Sequence, residues 1–513
     1  MSGHVFLTWG DLTRLACDAW IVPTDGRLVI EEPWSEFVDV PADTGAAWTA
    51  GSTRVLRGVA RHPEDERVPW LLDVAGNQRT DVAWYVDGVR QAVNAAAPGL
   101  AARPPLFGRA RPLLALPLVG GRYGGTAERA GAVVSELLPV LDQLASAHGL
   151  DIVLVLYQAQ AFTAAQAVRR RRTPAQPSPK LDAAAAAQAA RLADLAAAGR
   201  LVLFLGAGVS AGAGLPTWGE LLKRLARDAG IAQTDVPALE RLEERDRALV
   251  IEGRLRQRGT TLGGEVARSF RAVPWRALTH TQLAALPIAE AATTNYDTLF
   301  EDARRDLGLV TTVLPYEAVG ADARWLLKLH GCITHPEDIV ITRDDYLRYN
   351  ERRAALAGIV QALLVTRHML FVGFSLRDEH FNRIMHDVRK AVRATETGRA
   401  EPFGTALVLA REPFLEELWK DDLHLVSFGE TSGDRAVAAR RLQIFLDHVL
   451  TGATTTVPHL LDRAYDAVLD DRERAVRDAL RGLRSAVPAA AHGTAAWKRV
   501  EAFLHSVGGQ ETD

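Results

Sequence analysis

The segment RLVLFLGAGVSAGAGLPTWGELLKRL sets Gly206, Gly208, Gly212 and Gly214 directly after the apolar run Leu201–Leu205. Glycine lets backbone N–H groups approach a ligand with no side chain in the way, and a helix that opens after such a turn favours negative charge. The pattern predicts a strand, then a loop containing Gly206, Ala207, Gly208 and Ser210, then a helix whose Thr217 and Glu220 have capping-box spacing. Such a unit can hold dinucleotide phosphates without a basic side chain. The alternative is a purely structural turn. The glycine spacing is looser than the strict dinucleotide fingerprint, and the absence of a following Gly-Lys-Ser/Thr disfavours P-loop ATP hydrolysis.

Three later segments, ATTNYDTLF, LLKLHG and HMLFVGFSLRDEHF, each pass from an apolar or small-residue stretch into polar residues or glycine. In an open parallel sheet the C-terminal strand ends converge on one crevice, so Asn295, Asp297, His330, Ser375 and Asp378 can meet around a nucleotide despite long intervals in sequence. Each also has a plainer reading: turn or cap for Asn295, Asp297, Ser375 and Asp378, a buried hydrogen-bonded group for His330. His380 and His386, six apart, do not form a one-turn helical pair and read as surface or core residues. Trp218 and Trp325 read as packing aromatics.

These elements belong to a chain of 513 residues, 48% apolar and 24% charged, which predicts a sizeable core and two or three folded units. Sixty Lys and Arg against 63 Asp and Glu leave a formal charge of -3, giving no global electrostatic case for nucleic acid or anionic membrane. Two cysteines, Cys17 and Cys332, exclude a four-cysteine zinc site within one chain. The N-terminal stretch does not read as a signal peptide, and no apolar run approaches the ~20 residues of a spanning helix, so a cytoplasmic location without membrane insertion is expected.

Residues 1–168 alternate strand candidates (His4–Leu7, Ala19–Val22, Leu113–Leu118, Ile152–Leu156) with helix candidates (Gly131–Leu141, Ala161–Val168). Residues 169–198 read as a linker and helix. Arg169–Arg172 would be a solvated connector, Pro174, Pro177 and Pro179 a break, and 181–198 an alanine-rich helix. Residues 199–450 hold the strand-end motifs, and 451–513 read as a helical tail. Its first amphipathic helix is expected around Leu460, Leu461, Ala464, Val468 and Leu469, to cap the central domain or contact a second subunit.

The motifs of residues 199–390 together resemble the sirtuin-type family, specifically its bacterial NAD-consuming defence branch. The resemblance implies a Rossmann-type parallel sheet, with Gly206, Ala207, Gly208 and Ser210 at the diphosphate. It makes Asn295 and His330 catalytic, sets Asp297 beside Asn295, and puts Gly373 and Ser375 near the adenosine. Nearer the N-terminus, GDLTRLACDAWIVPTD and LPLVGGRYGG resemble the macrodomain family. That likeness implies an α/β nucleotide-recognition domain in which Asp11 receives an adenine amino group and the loop of Gly120, Gly121, Gly124 and Gly125 takes phosphate. The expected fold class is therefore α/β: a macrodomain-like domain, a sirtuin-like domain and a helical tail. The expected function is a regulated NAD hydrolase, with NAD as substrate and no metal. An ADP-ribose-derived signal or phage-triggered activator is the expected partner, and a homo-oligomer is possible. An NAD-dependent protein deacylase and a catalytically silent nucleotide-binding module remain the alternatives.

Overall fold

Buried aliphatic runs build the strands of two separate sheets, and the chain divides into two compact units. Unit 1 comprises residues 1–180 with 450–513, and unit 2 comprises residues 181–449. The computed structural model describes residues 2–42, 44, 54–75, 81–120, 129–172, 181–271, 273–320, 324–393 and 401–509. Among these no helix is long and apolar enough to cross a membrane.

Unit 1 carries a six-stranded sheet of β1 (Val5–Trp9), β2 (Ala19–Thr24), β3 (Val55–Arg57), β4 (Val68–Asp73), β5 (Leu113–Pro117) and β6 (Asp151–Leu156) in the order β1-β6-β5-β2-β4-β3. All pairings are parallel except that of β3 with β4. The continuous burial of Asp151–Leu156 suits a central strand covered on both faces. Beside the sheet are α1 (Val82–Ala101), α2 (Ala130–His148) and α3 (Ala159–Arg172).

The basic run at the end of α3 is no solvated connector, contrary to its reading above. Arg169 donates to Val5 O at 2.7 Å, and Arg170 donates to Thr451 O and Thr454 O at 3.0 and 2.7 Å. Arg171 pairs with Glu473 at 3.0 Å and Arg172 with Asp142 at 3.1 Å. Four consecutive residues point in four directions around a helix, so each guanidinium reaches a different piece of the same unit. The C-terminal residues are part of this unit. Thr163 Oγ1 lies 2.8 Å from His459 Nδ1, and Gly131 of α2 lets Tyr465 approach so closely that a Cβ would stand 2.8 Å from its Cα. The expected amphipathic helix around 460–469 is instead a 3-10 segment, Arg463–Val468, begun by Asp462 accepting from Ala464 N. Helix Asp471–Ala486 then starts afresh at a capping box between Asp470 and Glu473, and Ala495–Ser506 is the last helix.

In unit 2 the strands are β7 (Leu201–Leu205), β8 (Glu290–Thr293), β9 (Thr311–Leu314), β10 (Arg324–Lys328), β11 (His368–Val372), β12 (Gly404–Val408) and β13 (Leu423–Ser427). They form a fully parallel sheet in the order β9-β10-β8-β7-β11-β12-β13. The first strand is central, paired on one side with β8 and on the other with β11, so the strand order reverses around it. Beneath the crevice, Phe204, Phe371, Phe374 and Phe381 pack with ring centroids 4.7–6.1 Å apart. This aromatic layer packs beside the exits of β7 and β11.

Candidate functional site

The loop after β7 and the loop after β8 meet through Ser210, whose side chain is buried. Its hydroxyl donates to Asp297 Oδ2 at 2.8 Å and accepts from Asn295 Nδ2 at 3.2 Å. Asn295 Nδ2 donates a second time, to Gly206 O at 3.2 Å, and Asn295 N donates to Thr293 Oγ1 at 2.9 Å. Two helices of unit 2, α4 (Trp218–Asp228) and α5 (Leu278–Ala284), precede α6 (Leu299–Asp306), at whose start Asp297 Oδ1 accepts from Leu299 N at 3.1 Å. Beneath this set Lys328, at the end of β10, pairs with Glu301 at 2.8 Å and donates to Asp297 O. Both N–H groups of the Asn295 side-chain amide are therefore engaged, while its buried Oδ1 has no hydrogen-bond partner among the described residues. An acceptor left so in a dry site costs about 1–3 kcal/mol until a ligand donates to it.

A second set surrounds His330, buried at the turn after β10. Gly331 follows at φ 96°, where a Cβ would stand 2.5 Å from Asp338 O, so this turn needs glycine. Burial pushes the His330 imidazole down to about 4 against the pull of Asp378, whose Oδ2 lies 3.8 Å from Nε2. His330 is thus neutral near pH 7. His380 Nε2 lies 3.3 Å from Tyr346 O, which can only accept, so the remaining nitrogen of neutral His380, Nδ1, is an acceptor. His330 Nε2, 3.3 Å away, must donate to it, leaving the His330 lone pair on Nδ1. The Tyr346 and Tyr349 rings, from α7 (Arg343–Thr366), stack on His380 with centroids 4.2 and 3.7 Å away, and Tyr346 donates to Asp378 Oδ2 at 3.2 Å. Ligand-type atoms of His330, Asp378 and His380 lie within 4.8 Å of one another, a grouping that can hold a metal ion. His380, half-buried, therefore sits against the expected catalytic histidine.

Residues 289–426 match the SIR2-like domain family. The NAD(+) hydrolase ThsA of Bacillus cereus (strain MSX-D12) is 30% identical over 198 residues, 37% of this chain and 40% of that protein. ThsA of Acinetobacter baumannii (strain 532279) is 32% identical over 197 residues, 36% of this chain and 39% of its own length. Defense-associated sirtuin 2 of Bacillus subtilis is 28% identical over 200 residues, 37% of this chain and 19% of that protein. The chain carries a SIR2-like domain. The chain spans less than half the length of each of these relatives.

In unit 2 the glycines of the first loop have a more local duty than lining a phosphate. Gly206 N donates to Val372 O and Gly208 N to Gly373 O, both at 2.9 Å. A Cβ on Gly206 would meet Gly373 O at 2.5 Å, and one on Gly208 would meet Gly373 Cα at 2.8 Å. Gly373 itself has φ 66° and no room for a Cβ, which would stand 2.4 Å from Val209 N. These three glycines lock the exits of β7 and β11 together, spending two N–H groups that the loop pattern alone leaves for a ligand. Ala207 is exposed at the same loop, and Ser375 is exposed with its hydroxyl accepting from Arg377 N at 3.4 Å. Unit 2 thus gathers Ser210, Asn295 and Asp297 into one hydrogen-bonded set and His330 with Asp378 into another. His280, Tyr346 and Tyr349 were not anticipated. They lie within helices, away from the glycine loops and strand ends, and only three-dimensional pairing reveals them.

In unit 1 the C-terminal ends of β1, β2, β4, β5 and β6 border a cavity of about 1480 Å³. Asp11 and Gly120 both line it. Asp11 Oδ1 accepts from Thr13 N at 2.9 Å and from Thr13 Oγ1 at 2.7 Å, while Gly120 adopts φ 79°. Gly121, Gly124 and Gly125 fall outside the described residues. The C-terminal segment supplies another wall, including Arg463, Tyr465 and Arg481.

Proposed function

We propose that this chain is a regulated NAD hydrolase that releases nicotinamide and ADP-ribose and depletes NAD in antiphage defence. The observation that carries the reading is the hydrogen-bonded Ser210–Asn295–Asp297 set at the reversal point of a parallel sheet, with a neutral histidine at a neighbouring strand end. The activity for which the ThsA relatives are named supports the substrate, and the name of the Bacillus subtilis relative supports the defence role. In this reading water adds to C1 of the nicotinamide ribose as the glycosidic bond breaks. Nicotinamide leaves as a neutral molecule, its ring nitrogen keeping the bonding pair, and one proton is released from the water. Asn295 holds the water, and His330 takes a proton from a ribose hydroxyl through a ring lone pair and returns it once the water has added, so the net proton released is the water's. For Nε2 to serve, His330 must first part from His380.

Unit 1 is proposed as the sensor, its cavity receiving an ADP-ribose derivative. Such a ligand activates only if it binds the active state more tightly, and ~1.4 kcal/mol of difference changes that equilibrium tenfold. The experiment is NAD turnover by the full chain with and without ADP-ribose derivatives, beside titration calorimetry of the same ligands. Nicotinamide release that rises with ligand, and a weaker response in Gly121→Leu or Gly124→Leu, is the expected result. Absence of NAD cleavage under every activating condition, including infected-cell lysate, refutes the hydrolase reading. Absence of binding together with unchanged activation in both glycine variants refutes the sensor.

A further inference from the structure

His280 is buried in the first turn of α5, and both of its ring nitrogens have identifiable partners. Ala277 N–H donates to Nδ1 at 3.1 Å, so Nδ1 carries the lone pair and the proton of the neutral ring is on Nε2. Nε2 lies 3.3 Å from Ser210 Oγ. The Ser210 proton is directed to Asp297 Oδ2 at 2.8 Å, so Ser210 Oγ must accept from His280. Burial pushes His280 down to about 4, which keeps this donor direction unchanged near neutrality. Ser210 Oγ then accepts twice, from His280 Nε2 and from Asn295 Nδ2, and donates once.

That polarity has a consequence at Asn295. With Gly206 O and Ser210 Oγ both acting as acceptors, the Asn295 side chain can present only its NH₂ to them, and the carbonyl Oδ1 is turned to the other side. Oδ1 is the buried atom without a partner among the described residues, and Asn295, His280 and Asp297 border a cavity of about 10 Å³, near the ~10–15 Å³ lower bound for one water. We infer that His280 is a positioning residue: by donating to Ser210 it fixes the Asn295 amide so that Oδ1 is the acceptor offered to the attacking water or a ribose hydroxyl. This deepens the hydrolase reading and rests on it for its catalytic consequence.

Two substitutions, His280→Asn and His280→Gln, separate this role from a merely structural one. The shorter asparagine side chain would keep an acceptor for Ala277 N–H but fall short of Ser210, whereas glutamine reaches Ser210 with an N–H and leaves Ala277 N–H without its acceptor. Misplacement of a reacting group costs up to ~100-fold, so His280→Asn is expected to lower kcat about 10- to 100-fold, with the Kd for a non-hydrolysable NAD analogue changed less than about threefold. His280→Gln is expected to keep kcat within about threefold. The reverse ranking, or equal kcat in both at matched folding, overturns the inference. Nitrogen-15 spectroscopy of the full-length chain supplies a readout that needs no turnover and survives misfolding of either variant. The resting protein should show His280 protonated on Nε2, with that resonance shifted by Ser210→Ala. Protonation on Nδ1, or indifference to Ser210→Ala, overturns the inference even if NAD cleavage is established. A wild-type chain that never cleaves NAD, yet shows the expected tautomer and response, defeats the hydrolase reading and leaves the positioning network standing.

Discussion

Both units end parallel strands at a crevice, yet they fill it differently. In unit 2 the space is occupied by side chains bonded to one another, with Asn295 Oδ1 left open: Ser210, Asn295 and Asp297 in one set, His330, Asp378 and His380 in the other. In unit 1 the corresponding strand ends open on about 1480 Å³, walled in part by residues from the far end of the chain. On the reading proposed above, the difference separates a site whose groups are pre-aligned for a reaction from one shaped to admit a sizeable ligand.

The largest effect should come from breaking the pre-aligned sets. Asn295→Ala or His330→Ala is expected to reduce nicotinamide release by ~10²–10⁴-fold while the full chain keeps its folded circular-dichroism spectrum. Near-native turnover in either would remove that residue from the chemistry. In unit 1, Gly131→Leu sets a side chain where a Cβ already stands 2.8 Å from Tyr465 Cα. Overpacking of this kind costs ~1–3 kcal/mol, and the wall of the cavity should shift with it. Differential scanning calorimetry should show the loss, and ligand binding to unit 1 should weaken while basal NAD binding holds. If NAD binding weakens equally, the two crevices are not separable in the way described.

Acid should sharpen the contrast further. Burial lowers His280 and His330 in unit 2, and His459 in unit 1, to about 4. Above the unfolded value near 6.5 neither state binds the extra proton, so nothing is lost there. As pH falls from 6.5 towards 4 the unfolded chain protonates first, and stability drops by up to ~1.4 kcal/mol per pH unit for each such histidine. Unit 2, with two, should soften more steeply than unit 1, and calorimetric scans at stepped pH would read the order. The smallest effect is expected from chelation. Exhaustive EDTA treatment should leave activated NAD turnover within about twofold, since the proposed chemistry uses only protein groups and water. A marked change would direct attention to His330, Asp378 and His380.

Much of unit 2 was legible because its strands are short apolar runs ended by glycine or polar residues, and the register of a parallel sheet brings such ends together. The segments around Ser210, Asn295, His330 and Asp378 could all be picked out that way. His280 could not, because its importance lies in which nitrogen faces Ser210, and nothing in LTHTQL encodes that direction. In unit 1, β4 was hidden by Pro69 inside its apolar run, and β3 is only three residues long. Arg169–Arg172 misled for a different reason: charge density suggested solvent, but a helix end distributes four guanidinium groups to five separate partners.

Unit 1 is interrupted in sequence by the whole of unit 2 and is completed only by residues 450–513. A ribosome therefore delivers every residue of the SIR2-like sheet before the last wall of the other cavity has been translated. A message broken near codon 450, or a nascent chain stalled there, would yield the complete parallel sheet attached to a cavity lacking Tyr465 and Arg481. Early termination in this gene would thus separate the two halves of the molecule more cleanly than most point mutations could.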